Sequence, residues 1–292
     1  MTHDGIVDTV WLSTTDFSRE INNQLKETTI LDKQTGELFK SFSARKDDLR
    51  IYIDGKGLLA TFTAPIYAGA SDNLKLANKD SLILCAEKLT EDLRKIGIVT
   101  SVPVGQLRLS RLDIAKNIEP RCPFVVYEPI LANLNIPRTK LYRYPGTVSY
   151  RNKLRQIEFY DKRKQLLKKN KSLHLPRDIM RLEIRFMRKE ELEKRGLVTL
   201  EVLIDEYDNL FDIYDGCIKD IFSYEPSQSD TYDDPILIKA ISDAKSVYDV
   251  IRVLGTHILV EDVGLNTLGE LILRKYSGKC QGRDKNVPKT AV

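Results

Sequence analysis

Gln156-Ile157-Glu158-Phe159-Tyr160-Asp161-Lys162 alternates polar and apolar residues, the period of a β-strand. Strand geometry puts Gln156, Glu158, Tyr160 and Lys162 on one face and Ile157 and Phe159 on the other. A carboxylate, a phenol and an ammonium group then share one surface. Two readings are open. One is a partly exposed strand with ordinary surface charges. The other is a set that, with a carboxylate-held metal, cuts a phosphodiester through a tyrosine nucleophile. The surroundings favour the second. Between Arg138 and Lys171 there are twelve Lys or Arg against Glu158 and Asp161, so this segment carries +10 and the rest of the chain −6. Such a local field attracts a polyanion, and nucleic acid is the commonest.

Working outward, residues 6–13, 36–42, 49–54 and 57–64 read as strands, with a hairpin at Asp54-Gly55-Lys56-Gly57. A helical stretch is expected from about Asp16, capped by Thr14, Thr15 or Asp16. Leu82, Cys85, Leu89 and Leu93 mark one face of an amphipathic helix over about 80–96. A regular strand follows over 107–118. A short helix over 122–134 is expected to break at Pro129, and strands follow at 138–143, 147–151, 154–163 and 179–186. The basic stretch 164–177 reads as a mobile loop or frayed helix. Helical patterns rich in Asp and Glu occupy 199–222 and 235–276, ahead of a polar, basic tail from Ser277 expected to be disordered.

The fold class expected is α+β, with an antiparallel-rich sheet in the catalytic region and a helical C-terminal region. Two related α+β halves are one reading of the order, although no repeat is visible. The divisions read are 1–104 (N-terminal α+β half), 105–198 (catalytic half with the polar strand face) and 199–292 (helices and tail).

The 292 residues, 42% hydrophobic and 30% charged, allow a sizeable core. No apolar run approaches the roughly 18 residues of a membrane span, and no secretory signal is visible. Cys85, Cys122, Cys217 and Cys280 include no Cys-x-x-Cys pair, which argues against a zinc ribbon or a disulfide framework and for a reducing cytoplasm. His3, His174 and His257 form no His-x-His pair, so a histidine-ligated nickase centre is not available. Neither a Walker loop nor a dinucleotide fingerprint occurs.

Three strands carry one constellation. Arg111 and Asp113 come from the first, Glu158, Tyr160 and Lys162 from the second, and Arg181, Glu183 and Arg185 from the third. In one sheet, period two puts them on one surface, outward, while Leu182, Ile184 and Phe186 point inward. Asp113, Glu183 and Glu158 then form a candidate metal set, and oxygen ligands suit Mg²⁺ or Mn²⁺. Tyr160 is the candidate nucleophile, with Lys162, a neighbouring carboxylate or the metal as the group that lowers the barrier to its attack. Tyr150 is a lesser candidate, more readily read as a packed strand tyrosine. Tyr142 and Tyr144 can stack on bases or pack half-buried. Arg111, Arg151, Lys153, Arg155, Lys164, Arg181 and Arg185 are the candidate DNA contacts.

The ordered segments Thr63-Ala64-Pro65-Ile66-Tyr67-Ala68-Gly69, Leu84-Cys85-Ala86-Glu87, Leu109-Ser110-Arg111-Leu112-Asp113-Ile114, Gly146-Thr147-Val148, Phe159-Tyr160-Asp161-Lys162 and Arg181-Leu182-Glu183-Ile184-Arg185 span about residues 50 to 200. Together they resemble the replication-initiator endonucleases of filamentous phages, of the gene II and gene X type, and more distantly the rolling-circle plasmid initiators. The resemblance implies an enzyme that binds a double-stranded origin, nicks one strand through tyrosine, leaves a 3′-hydroxyl and later rejoins the displaced single strand. It places the nicking tyrosine on Tyr160 and the acidic residues on Asp113 and Glu183. It also implies a host helicase and DNA polymerase as partners. A non-catalytic DNA-binding or copy-control protein on the same fold is the alternative.

Overall fold

The computed structural model describes residues 5–20, 24–31, 38–120, 123–134, 136–170, 175 and 177–222. The chain opens with strands β1 (Val7–Thr14), β2 (Phe17–Arg19), β3 (Lys26–Leu31), β4 (Leu38–Lys46), β5 (Leu49–Asp54) and β6 (Gly57–Thr63). Helices α1 (Ala64–Tyr67) and α2 (Lys79–Lys95) follow, then β7 (Ile98–Thr100), β8 (Arg108–Ile118) and α3 (Phe124–Leu131). The hairpin β9 (Lys140–Tyr144) and β10 (Thr147–Arg151) leads to β11 (Arg155–Asp161), α4 (Lys162–Lys169) and β12 (Met180–Phe186). Helices α5 (Lys189–Glu193), α6 (Leu200–Asp205) and α7 (Asn209–Phe222) complete the described part. This is an α+β fold. Its main sheet runs β3-β4-β5-β6-β1-β8-β12-β11-β10-β9, and β2 and β7 form a separate ribbon. The expected helices over 235–276 and the basic tail lie outside the described residues.

Two compact units are distinguished, one of residues 1–116, 151–157 and 183–216, the other of 117–150, 158–182 and 217–292. In the first unit, β1 pairs antiparallel with both β6 and β8, β5 joins β6 to β4, and β3 pairs with β4. Register sets the core. Val10 lies opposite Phe62 and Leu112, and Ala60 opposite Leu12 and Ile51. All of these are buried, so one face of this part of the sheet is apolar. Helices α1 and α2 form its cover. Tyr67 stacks on Phe62 with ring centroids 4.8 Å apart and donates to Asp92 of α2 at 2.9 Å. Asn78 caps α2 by accepting from the Ser81 N–H.

The helix expected from Asp16 does not form. Thr14 Oγ1 accepts the Asp16 N–H, and Asp16 accepts from the Ser101 hydroxyl and N–H; β2 then pairs with β7. Long-range strand pairing outweighs a local capping signal here. In the second unit, α3 continues through Pro129 to Leu131 rather than breaking at it. The strand expected over 154–163 stops at Asp161, whose side chain accepts the Lys164 N–H and caps α4. Residues 162–169 are therefore helix, which ends the strand two residues early and bears out the helical alternative for the start of the basic stretch.

Candidate functional site

In the first unit, strand alternation puts Arg111 and Asp113 of β8 on one face, and Arg185 repeats the arrangement beside Glu183 on β12. Arg111 donates twice to Asp113, through Nε at 2.8 Å and Nη2 at 2.7 Å. Arg185 Nε donates to Glu183 Oε1 at 2.6 Å and lies 3.6 Å from Asp113 Oδ2, so one guanidinium bridges both carboxylates. Asp113 and Glu183 are each 2% exposed. At these two carboxylates the outward polar surface expected from alternation is closed, and the buried charges pair with one another. Burial pushes the Asp113 carboxyl up to about 7, and the Glu183 charge adds to this. Arg111 and Arg185 oppose it.

Trp11 of β1 lies opposite Arg111, whose guanidinium sits 4.7 Å from the indole ring centre. Reading the sequence missed this partner. Its signal was present in β1, where Thr9, Trp11 and Ser13 alternate with the buried Val10 and Leu12.

In the second unit, Glu158 and Tyr160 share a face of β11, and both are buried. Lys162 has left the strand and opens α4; its Nζ donates to Gln165 Oε1 at 2.9 Å and lies 5.8 Å from the Tyr160 ring centre. The ammonium thus stays beside Tyr160, but by a strand-to-helix turn rather than by alternation. Tyr150 donates its hydroxyl to the Leu131 carbonyl at 2.8 Å, and burial pushes its phenol up to about 12. Arg181, expected to face outward, is fully buried and donates to Asn117 Oδ1 at 2.8 Å. Lys153 and Lys164 are exposed; Arg151 and Arg155 are half-buried.

Among the described residues, no group of three or more His, Cys, Asp or Glu side chains is placed to hold a metal ion. No helix of the described residues is long and apolar enough to cross a membrane.

Three comparisons bear on this arrangement. No curated protein matches the chain. Among solved structures, the rolling circle replication initiator protein from Geobacillus stearothermophilus is similar at 12% identity and a TM-score of 0.39, over 91% of this chain and 97% of that one. The family model for the N-terminal region of the phage gene II replication-associated protein matches residues 67–200, which contain every residue of the buried carboxylate pair, its arginines, Tyr160 and Lys162. The resemblance to gene II type initiators is borne out over residues 67–200, which match the family model of the gene II replication-associated protein N-terminal region.

Proposed function

We propose that this protein initiates rolling-circle replication of a phage or plasmid by nicking one strand of a double-stranded origin and later rejoining it. One observation carries the reading. Two buried carboxylates, Asp113 and Glu183, are held side by side by Arg185 inside the family segment. Burying two like charges is unfavourable, and functional sites are where proteins retain such arrangements.

In the proposed reaction the Tyr160 oxygen attacks the scissile phosphorus and loses its proton to a base. The phosphorus–O3′ bond breaks, and the O3′ takes a proton to become the primer hydroxyl. The 5′ side stays on Tyr160 as a phosphotyrosine, which conserves the bond for rejoining by the reverse reaction. Lys162, beside the Tyr160 ring, is the charged group placed to ease the attack. Tyr150 is less suited, its hydroxyl being committed to a backbone carbonyl.

Asp113 and Glu183 offer buried oxygen donors without sulfur or imidazole, a donor set that fits Mg²⁺ or Mn²⁺, with Glu158 as a further candidate ligand. Such an ion supplies charge neutralisation at the phosphate. Arg111 and Arg185 hold the two carboxylates in place, and Arg151, Lys153, Arg155 and Lys164 would hold the DNA backbone. Host helicase and polymerase would act on the nicked origin in the cytoplasm.

Incubation with supercoiled plasmid bearing the cognate origin, with Mg²⁺ or Mn²⁺, tests the proposal. The parent protein should relax the plasmid and remain covalently attached. Tyr160→Phe should bind DNA without forming the adduct, and Asp113→Ala and Glu183→Ala should bind without nicking. An adduct in Tyr160→Phe would move the nucleophile elsewhere. A parent that binds the origin but never nicks it would leave only the non-catalytic, copy-control reading.

A further inference from the structure

The face of the first unit's sheet that α1 and α2 leave uncovered carries two rows of side chains. Residues directly opposite across antiparallel strands project to the same face. The register therefore aligns Arg111, Trp11, Thr61, Arg50 and Arg45 across β8, β1, β6, β5 and β4. A second row aligns Arg108, Ser13, Leu59, Tyr52, Ser43 and Lys26, reaching β3. The first row crosses four interstrand gaps, roughly 19 Å at about 4.8 Å each.

The chemistry of this face is mixed in a particular way. Tyr52 is 48% exposed, and Arg45, Arg50 and Lys26 are exposed. Among the described residues none of these three cations has an acidic partner. Trp11 is half-buried beneath Arg111. Arg108 is paired with Glu193 at 2.8 Å, and Asp54, at the end of β5, accepts the Lys56 N–H. An exposed ring interleaved with such cations on an open sheet face suits a strand whose bases are unstacked and whose phosphates need neutralising. A duplex would hide its base faces within its own stack.

We propose that this face binds single-stranded DNA, with bases stacking on Tyr52 and Trp11, and Arg45, Arg50 and Lys26 holding phosphates. The row ends at Arg111, the arginine clamped to Asp113, so the track leads toward the acidic pair. The identity of the strand as the one displaced from an origin rests on the proposed function; the binding itself does not.

Trp11 is the only tryptophan of the chain, so its emission reports on this face alone. Full-length protein is titrated with oligothymidylate, without metal or origin sequence, while tryptophan fluorescence is followed. Quenching is expected. Tyr52→Ala should weaken binding roughly tenfold while Tyr52→Phe retains it. Arg45→Ala and Arg50→Ala should each lower the slope of log affinity against log salt by about 0.7. Unchanged emission on saturation, or variants that bind as the parent does, would overturn the proposal. So would equal quenching and affinity with a duplex of the same length. A protein that nicks its origin while these variants bind normally defeats only this inference; one that never nicks while Tyr52→Ala loses oligothymidylate defeats only the catalytic reading.

Discussion

Strands β5 and β12 read alike on paper, each alternating apolar with charged or polar residues, yet they end in different environments. In β5, Leu49, Ile51 and Ile53 are buried and Arg50, Tyr52 and Asp54 are exposed, as alternation implies. In β12, Arg181, Leu182, Glu183, Ile184 and Phe186 are all buried and only Met180 and Arg185 are half-buried. A polar residue on a strand faces water only where nothing closes over it. Where something does, it needs a partner, and Arg185 with Glu183, or Arg181 with Asn117, supply the pairing. The difference separates a surface available for binding from a polar interior that fits chemistry.

The largest expected effect lies beneath β5 and β6. Phe62→Ala removes a buried ring stacked on Tyr67 and should cost about 3–5 kcal/mol, read as a lowered midpoint in urea unfolding. A loss below about 1 kcal/mol would mean that this face is not the packed one.

A smaller effect of unusual sign is expected at β8. The folded-state pKa of Asp113, about 7, stands above its unfolded value near ~3.9. Its contribution to stability is therefore fully present below pH ~4 and is lost as pH rises through about 7. Asp113→Asn, which keeps an acceptor for Arg111, should flatten that decline and make the protein at least as stable as the parent at pH 8 in EDTA. Thermal melts from pH 5 to 8 check this. A variant that loses stability equally at every pH would show that the charged carboxylate is a net structural asset.

The smallest change is expected on the open face. Tyr52→Ala should shift unfolding free energy by no more than about 0.5 kcal/mol, since an exposed side chain has little packing to lose. A larger loss would mark Tyr52 as structural, and its effect on oligonucleotide binding would then need Tyr52→Phe to interpret.

Much of this was legible in advance. The strands at 49–54 and 147–151 match their elements residue for residue, because alternation over five or six residues followed by a turn leaves little choice. The amphipathic helix and the Arg-x-Asp and Arg-x-Glu strands were also visible. The turn at Asp161 was not, because a helix cap and a strand end place the same acidic residue at the same spot. Nor was β2, whose three residues pair with a strand some eighty positions later.

Period-two patterning alone determined which side chains share a face: Arg111 with Asp113, Glu158 with Tyr160, Glu183 with Arg185. That follows from backbone geometry, which needs no knowledge of neighbours. Which faces are closed and which stay open was decided only by the tertiary structure. Exposure depends on what packs from far along the chain. The same covering that hides the Asp113 carboxylate raises its pKa, while Tyr52, Arg50 and Arg45 stay exposed where they can meet a ligand.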